Sequence, residues 1–277
     1  MAGGPVIRTR FAPSPTGPLH LGHAFAAVTA ARLASPGQFL LRIEDIDRSR
    51  SKPEWEAAIF DDLRWLDLEW AQPVMRQSGR MDAYRTALDT LNRRGLLYPC
   101  RCKRSDIQAA LSAPQEGVVG PDGPIYPGTC RTRSMDDAAP GDAIRLNVGR
   151  AFDLIDGPLQ FSDHGLHEMD AVQFRQTVGD PVLARRGMGT SYHLSVVVDD
   201  AAQGITLVTR GADLFDATWI HVLLQRLLDL PTPAYHHHAL IRDDDGKRLA
   251  KRDDARAIAS YRAAGMAPAE VLGLVGL

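Results

Sequence analysis

The spacing of apolar positions changes period twice within the first fifty residues. Val6-Ile7-Arg8-Thr9-Arg10-Phe11 alternates as a strand does and runs into Ala12 to Pro18, a stretch of turn residues. Alanine dominates from about Leu21 to Leu33, which predicts a helix, and Gln38 to Ile43 reads as a second, more buried strand ending in acidic residues. The unit is strand, turn, helix, strand. Ser51 and Glu54 have capping-box spacing, with Pro53 early in a helix that continues to about Leu66. Met81, Tyr84, Leu88 and Leu91 mark a further helix closed by Gly95.

Periodicity lapses from Tyr98 to about Arg133, where glycine and proline cluster between Gly117 and Gly128, so an irregular segment that needs another source of order is expected. Strand-like stretches return at Ala143 to Val148, Phe152 to Phe161, Tyr192 to Val198 and Ile205 to Val208. Ile220, Leu223, Leu224, Leu227 and Leu228 share one helical face, and Pro231 with Pro233 ends that helix. A charged loop, Asp243 to Asp254, and one or two short helices complete the chain.

Composition narrows the class. The 277 residues are 44% hydrophobic and 24% charged, enough apolar material for a globular core. No stretch approaches the ~20 apolar residues of a membrane span, and the N-terminus lacks a secretory hydrophobic region, so a cytoplasmic protein without membrane contact is expected. A net charge of -2 excludes a nonspecific nucleic-acid coat, so any RNA contact must come from local basic patches. Three cysteines argue against a disulfide framework and leave metal ligation or free thiols.

A loop between a strand and a helix start offers backbone N–H groups and the positive helix end to a phosphate. That position holds Thr16, Gly17, His20, Leu21, Gly22 and His23, which read equally as a capped turn with exposed histidines. A second cluster, Lys247, Arg248, Lys251 and Arg252, lies in a glycine-containing loop that reads either as a lid over a triphosphate or as a solvated charge run.

Together, these elements resemble the paired HIGH-like and KMSKS-like signatures of class I aminoacyl-tRNA synthetases. Arg10-Phe11-Ala12-Pro13-Ser14-Pro15-Thr16-Gly17-Pro18-Leu19-His20-Leu21-Gly22-His23 and Arg42-Ile43-Glu44-Asp45-Ile46-Asp47 resemble the glutamyl branch. Tyr192 with Val196 to Asp200, and Thr209-Arg210-Gly211-Ala212-Asp213-Leu214, extend the resemblance over nearly the whole chain. The later loop departs from the family: Arg248 stands for its first lysine and Ala250 for its serine, while the second lysine is kept as Lys251.

The resemblance implies an α/β fold with a Rossmann-type parallel sheet, a zinc-bearing insertion and a short helical C-terminal region. The divisions expected are residues 1–97 and 181–235 for the two halves of the core, 98–180 for the insertion, and 236–277 for the lysine loop with the helical region. It implies ATP contacts at Thr16, Gly17, His20, Gly22, His23, Arg248, Leu249, Ala250, Lys251 and Arg252, with His20, His23 and Lys251 catalytic and Mg²⁺ accompanying ATP. It implies glutamate contacts at Arg10, Phe11, Ala12, Pro13, Ser14, Glu44, Tyr192 and Arg210. A guanidinium fork suits a carboxylate, which is the physical sense of the two arginines.

Cys100 and Cys102 form a C-x-C pair, and Cys130 follows Tyr126 in a Tyr-x-x-x-Cys pattern, whereas Thr132 stands where many zinc-bearing glutamyl enzymes have histidine. The pattern resembles the short glutamyl-queuosine relatives, which implies one structural Zn²⁺ on Cys100, Cys102, Tyr126 and Cys130. Few residues follow Arg252, so no anticodon-binding domain is expected. The short relatives activate glutamate without tRNA and transfer it to queuosine in tRNA(Asp), and a monomer that does not bind DNA is expected. A truncated synthetase charging a tRNA 3′ end, or a non-catalytic RNA- or metabolite-binding relative, are the alternatives. Arg101, Lys103, Arg104, Arg131 and Arg133 near the cysteines read either as an RNA contact or as a solvated rim.

Overall fold

The computed structural model describes residues 4–111, 119–241 and 256–277. The chain divides into two compact units, the first formed by residues 1–79, 204–213 and 233–277 and the second by residues 80–203 and 214–232.

The first unit is built on parallel strands. Thr9–Phe11 pairs with Phe39–Ile43, which pairs with Ala71–Arg76, and Leu207–Gly211 pairs with Ala234–His238, all in parallel. The two ladders meet at Arg8, whose carbonyl accepts from the N–H groups of Thr206 and Leu207 at 3.0 and 3.2 Å. Chain direction therefore diverges between Thr9–Phe11 and Leu207–Gly211, with the early strands on one side and the late pair on the other. In open parallel sheets such a point leaves a crevice at the carboxyl ends of the strands.

The alanines of the Leu21–Leu33 helix explain how it seats on this sheet. Ala24, Ala27 and Ala30 recur every third residue and are buried, so their small side chains bring the helix close to the strands. The Thr9 hydroxyl donates to the Ala30 carbonyl at 2.7 Å across that approach. Phe39, Leu41, Ile43, Ile59 and Leu63 fill the core beneath, where truncating a leucine or isoleucine to alanine costs about 2–5 kcal/mol.

The second unit is a three-stranded antiparallel sheet with Ala143–Leu146 between Leu97–Cys100 and Val182–Ala184, surrounded by helices. The Met81–Arg93 helix buries Tyr84, Ala87 and Leu91 and ends before Gly95, whose φ of +70° only glycine adopts without strain. It is tied to the Tyr192–Ala202 helix by Asp199, a fully buried carboxylate that accepts from Tyr84 Oη at 2.7 Å and Arg80 Nε at 2.6 Å.

Four local expectations are corrected. Tyr192 to Val198, expected as a strand, is the start of a helix capped by Ser191, which accepts from the Leu194 N–H. It is buried on nearly all sides, so an apolar run carries no period to distinguish it from a buried strand. Phe152 to Phe161 is not one strand: Val148–Phe152 is a short helix and Leu159–Ser162 a hairpin strand. The Ser51 and Glu54 capping box does not form. Lys52 is the N-cap without a side-chain bond, because the Ser51 N–H is drawn to the Asp47 carbonyl of the preceding turn. The Tyr98 to Arg133 stretch is more regular than expected, holding a strand to Cys100, the Arg104–Leu111 helix and a hairpin of Val119–Gly120 with Gly123–Pro124.

Candidate active site and metal centre

His20 is the N-cap of the Leu21–Leu33 helix. Its Nδ1 accepts from the Gly22 N–H at 3.1 Å, and His23 Nδ1 accepts from the His20 N–H at 3.1 Å. This is a capping box made of two imidazoles, with ring centroids 3.8 Å apart. Because each Nδ1 accepts a backbone hydrogen bond, the neutral rings carry their proton on Nε2, the nitrogen able to donate to a ligand. The capped turn expected as one alternative therefore forms.

The chain returns to this cap. Ala257 forms an antiparallel bridge with His20, and the Ile258 N–H donates to the Leu19 carbonyl at 2.9 Å. Upstream, Ile241 packs in the cluster containing Leu21 and Phe25. Arg248, Leu249, Ala250, Lys251 and Arg252, together with Lys247, lie outside the described residues, but both flanks of residues 242–255 are fixed beside the His20 turn.

The candidate glutamate contacts of the first unit gather at the strand ends. Arg10 and Arg210, each 6% exposed, come from the two strands flanking the divergence point, and Arg10 Nη1 donates to the Thr209 carbonyl at 3.2 Å. Arg210 Nε lies 3.1 Å from His237 Nε2, with its guanidinium over the Tyr235 ring at 5.3 Å. Glu44 follows its strand directly, and its N–H donates to the Pro13 carbonyl at 3.0 Å, which ties it to the Ala12, Pro13 and Ser14 turn after Phe11. Pro13 and Phe11 are buried, Ser14 is exposed and Thr16 is half-buried. Tyr192 belongs to the second unit, where it opens a helix and packs edge-on to His193 and His221.

Arg42 opens the Arg42-Ile43-Glu44 segment at the end of the second strand. It is fully buried, and its Nη2 meets Glu44 Oε1 at 3.3 Å. A buried guanidinium so placed orients the Glu44 carboxylate. No local pattern marks this role, since a strand arginine reads as exposed until the sheet is covered on both faces.

In the second unit, Cys100, Cys102 and Cys130 bring their sulfurs within 4.8 Å of one another. Cys102 Sγ is 3.6 Å from Cys130 Sγ, and Tyr126 Oη is 3.4 Å from the sulfurs of both Cys100 and Cys102. Zinc–sulfur bonds of about 2.3 Å and zinc–oxygen bonds of about 2.0 Å at tetrahedral angles require sulfur–sulfur separations of about 3.8 Å and sulfur–oxygen separations of about 3.5 Å. The Cys102–Cys130 and the two tyrosine–sulfur separations match these spacings, and Cys100 Sγ lies within 4.8 Å of the other sulfurs, so the three thiols with Tyr126 are a donor set that could hold one tetrahedral cation.

Burial raises the Cys102 thiol above its ordinary range, and burial with the neighbouring thiols pushes the Tyr126 phenol strongly upward. At Cys130 burial also raises the thiol, but hydrogen bonds from Tyr126, the Arg101 backbone and the other two thiols outweigh it and bring the pKa down to about 7. A bound cation favours the deprotonated form of all four groups. The cluster rests on Asp180, a buried carboxylate that accepts from Tyr98 Oη at 2.6 Å, Arg131 Nε at 2.7 Å and the Val148 N–H at 3.1 Å. Arg145 donates to the Asp180 carbonyl at 2.7 Å and lies 4.0 Å over the Tyr126 ring.

The basic residues nearby divide. Arg131 is spent on Asp180, and Arg133 pairs with Asp142 at 3.0 Å. Arg101 and Lys103 are exposed.

Comparison with known proteins places the chain. The model of the family described as tRNA synthetases class I (E and Q), catalytic domain, matches residues 6–277. A protein of Rhodobacter capsulatus named glutamyl-Q tRNA(Asp) synthetase is 59% identical over 97% of this chain and 99% of its own length. One of the same name from Symbiobacterium thermophilum is 42% identical over 95% of this chain and 84% of its own. Among solved structures, a glutamate tRNA ligase from Elizabethkingia meningosepticum in complex with its amino acid superimposes with a TM-score of 0.70 at 26% identity. The match covers 90% of this chain but 53% of that enzyme, so the chain spans about half the length of the solved ligase. A Mycobacterium tuberculosis methionyl-tRNA synthetase, 8% identical with a TM-score of 0.61, shares the fold. On the family match and the near full-length relatives, the chain belongs to the class I tRNA synthetases of the glutamyl and glutaminyl type.

Proposed function

We propose that this chain activates L-glutamate with ATP, without tRNA, and transfers the glutamyl group to queuosine in the anticodon of tRNA(Asp). The observation that carries the reading is the gathering of Arg10, Glu44 and Arg210 at the ends of the parallel strands, in the unit that also holds the His20–His23 cap. The name of the 59% identical relative supplies the acceptor.

In the first step an α-carboxylate oxygen of glutamate attacks the α-phosphorus of ATP. A mixed anhydride forms and the bond to pyrophosphate breaks. Mg²⁺ entering with ATP screens the phosphate charges. Nε2–H of His20 and of His23 donates to phosphate oxygens as charge builds, and Lys251 adds a cation from the downstream loop. Arginine forks from Arg10 and Arg210 hold the substrate carboxylates, Glu44 takes the ammonium, and Phe11, Ala12, Pro13 and Ser14 line the amino acid within the first unit, while a glutamate contact for Tyr192 rests on the family resemblance. Thr16, Gly17, Gly22, Arg248, Leu249, Ala250 and Arg252 complete the ATP site. In the second step a hydroxyl of the queuosine cyclopentenediol attacks the glutamyl carbonyl, forming an ester and releasing AMP. No covalent enzyme intermediate is required.

Cys100, Cys102, Tyr126 and Cys130 would hold one Zn²⁺, whose chemistry there is structural, crosslinking residues 100 to 130 where apolar content is low. The reading assigns the protein to the cytoplasm as a monomer. Among the described residues no helix is long and apolar enough to cross a membrane.

The direct test of the first step is pyrophosphate exchange with ATP and L-glutamate in the absence of tRNA. Exchange with glutamate and not with glutamine supports the reading. A protein that exchanges only when tRNA is added is instead an ordinary glutamyl-type synthetase core.

A further inference from the structure

Tyr126 has the longest side chain of the four metal donors, and its oxygen moves furthest when the side chain turns. Three thiolates with a water would equally complete a tetrahedral cation, so the phenol must be held in place if it is to be the fourth ligand. Packing alone does not hold it. A cavity of about 420 Å³ adjoins the ring, lined by Tyr126, Arg145 and Asp180 with Ile107, Pro124 and Val182 among others, so there is room beside it. Apart from the thiols, two close contacts fix the side chain. The Cys130 N–H donates to Tyr126 Oη at 2.8 Å, and the Arg145 guanidinium lies 4.0 Å over the ring, while the Tyr98 ring is further off at 6.4 Å between centroids.

Arg145 is itself fixed by its surroundings. It sits on the middle strand of the antiparallel sheet, in register with Tyr98 on one side and Val182 on the other. Its Nη1 donates to the Asp180 carbonyl at 2.7 Å, and its Nε is buried with no acceptor among the described residues. A buried donor without an acceptor costs free energy, so the guanidinium keeps its place on the ring against that cost. The Asp180 carboxylate accepts from Tyr98 Oη at 2.6 Å, two residues before Cys100, and from Arg131 Nε at 2.7 Å, next to Cys130. One residue thus braces both cysteine arms and the arginine on the tyrosine. The backbone before it is equally close: Gly179 has a φ of +69°, and a Cβ there would lie 2.7 Å from Cγ2 of Ile125, the neighbour of Tyr126.

We propose that Arg145, held by Asp180, is the positioning residue that makes Tyr126 the fourth ligand of the metal centre. The proposal rests on the reading above in which Cys100, Cys102, Tyr126 and Cys130 hold one Zn²⁺. Every residue it uses lies within the second unit. Arg145 acts through the ring, which a guanidinium holds by its positive charge and its flat face. With a neutral side chain at this position the ring is free to turn into the cavity, and water takes its place beside the three thiolates.

The test compares wild type, Arg145→Met, Arg145→Gln, Tyr126→Phe and the Arg145→Met, Tyr126→Phe double variant. Zinc affinity is measured by competition with a chelator, and the cobalt(II)-substituted proteins are compared by absorption. Arg145→Met and Arg145→Gln are each expected to weaken zinc binding about tenfold, the scale of loss when an outer-shell partner is removed. Arg145→Met should add nothing further in the Tyr126→Phe background, because its effect passes through the phenol. The cobalt bands of both Arg145 variants should match those of Tyr126→Phe and differ from wild type, a change that general loosening of the fold does not produce. The ultraviolet difference band of a tyrosinate, expected when zinc is added to wild type, reads the ligand without any variant and stands even if one folds poorly. Unchanged zinc affinity in the Arg145 variants, equal losses in both backgrounds, wild-type cobalt bands, or zinc uptake by wild type without a tyrosinate band overturns the positioning role. A wild-type chain that binds neither zinc nor cobalt overturns the metal centre itself instead.

Discussion

His20 and Ala257 form an antiparallel bridge, so the residue that caps the first helix also pairs with the first residues after the lysine-bearing stretch. Sequence neighbours of Lys251 are thereby anchored at the turn proposed to meet ATP. Ile258, the next residue, is fully buried and donates to the Leu19 carbonyl, which makes the anchor part of the core.

That double use of His20 separates by substitution. His20→Ala removes the cap and the Nε2–H donor together. It should lower stability by about 1 kcal/mol through the lost cap. It should also lower kcat for pyrophosphate exchange by about 10²-fold through the lost transition-state donor. His20→Asn keeps a capping side chain, so it should restore the melting temperature without restoring kcat. Recovery of both would make His20 a structural cap only.

Arg210 is set by His237 and by the Tyr235 ring, a geometry that a lysine does not reproduce. Arg210→Lys should raise the KM for glutamate at least about tenfold while the KM for ATP stays within about twofold, because a point charge replaces a bidentate fork. Initial-rate exchange assays varying each substrate in turn check the split. An equal effect on both substrates removes Arg210 from the amino-acid site.

The metal centre predicts about one zinc per chain in protein purified without chelator. Cys102→Ser or Cys130→Ser should abolish retention, and Tyr126→Phe should weaken it by about 10-fold or more while leaving the three thiolates in place. Metal analysis and thermal melting with and without chelator read this. A Tyr126→Phe protein holding zinc as tightly as wild type limits the ligand set to the cysteines.

Asp62 is a pH reporter. Burial raises its carboxyl to about 6, only partly opposed by Arg262 at 3.4 Å. The folded state thus binds this proton more tightly than the unfolded chain, whose value lies near 3.8. Its stabilising effect is full below about pH 4 and is lost as pH rises through about 6. Asp62→Asn should therefore be more stable than wild type near pH 7.5, by on the order of 1 kcal/mol after allowance for the Arg262 pair, and should differ little near pH 4. Urea unfolding at the two pH values measures it, and a less stable variant at pH 7.5 means the ion pair outweighs burial.

Much of the first hundred residues was legible because its signals are local. The strand into a proline- and glycine-rich turn, the alanine-rich helix from Leu21 to Leu33 and the closing Gly95 each depend on a few consecutive residues. The approach of Arg10, Glu44 and Arg210 was accessible only through the family resemblance, since strand order is not written in any window. Tyr192 to Val198 misled for the opposite reason. Full burial of the helix erased its period, and the one local clue was Ser191 at the cap. Asp180 went unremarked because a buried charge is recognised by its partners, and Tyr98 and Arg131 are distant from it in sequence.

The measurement that bears most directly on the central claim is acid-gel separation of tRNA(Asp), with and without queuosine, after incubation with radiolabelled glutamate, ATP and this protein. Label confined to the queuosine-bearing tRNA, and unaffected by periodate oxidation of its 3′ end carried out on tRNA whose queuosine diol is protected, is the predicted result. Label on tRNA lacking queuosine would contradict the account and return the chain to ordinary charging of the terminal adenosine.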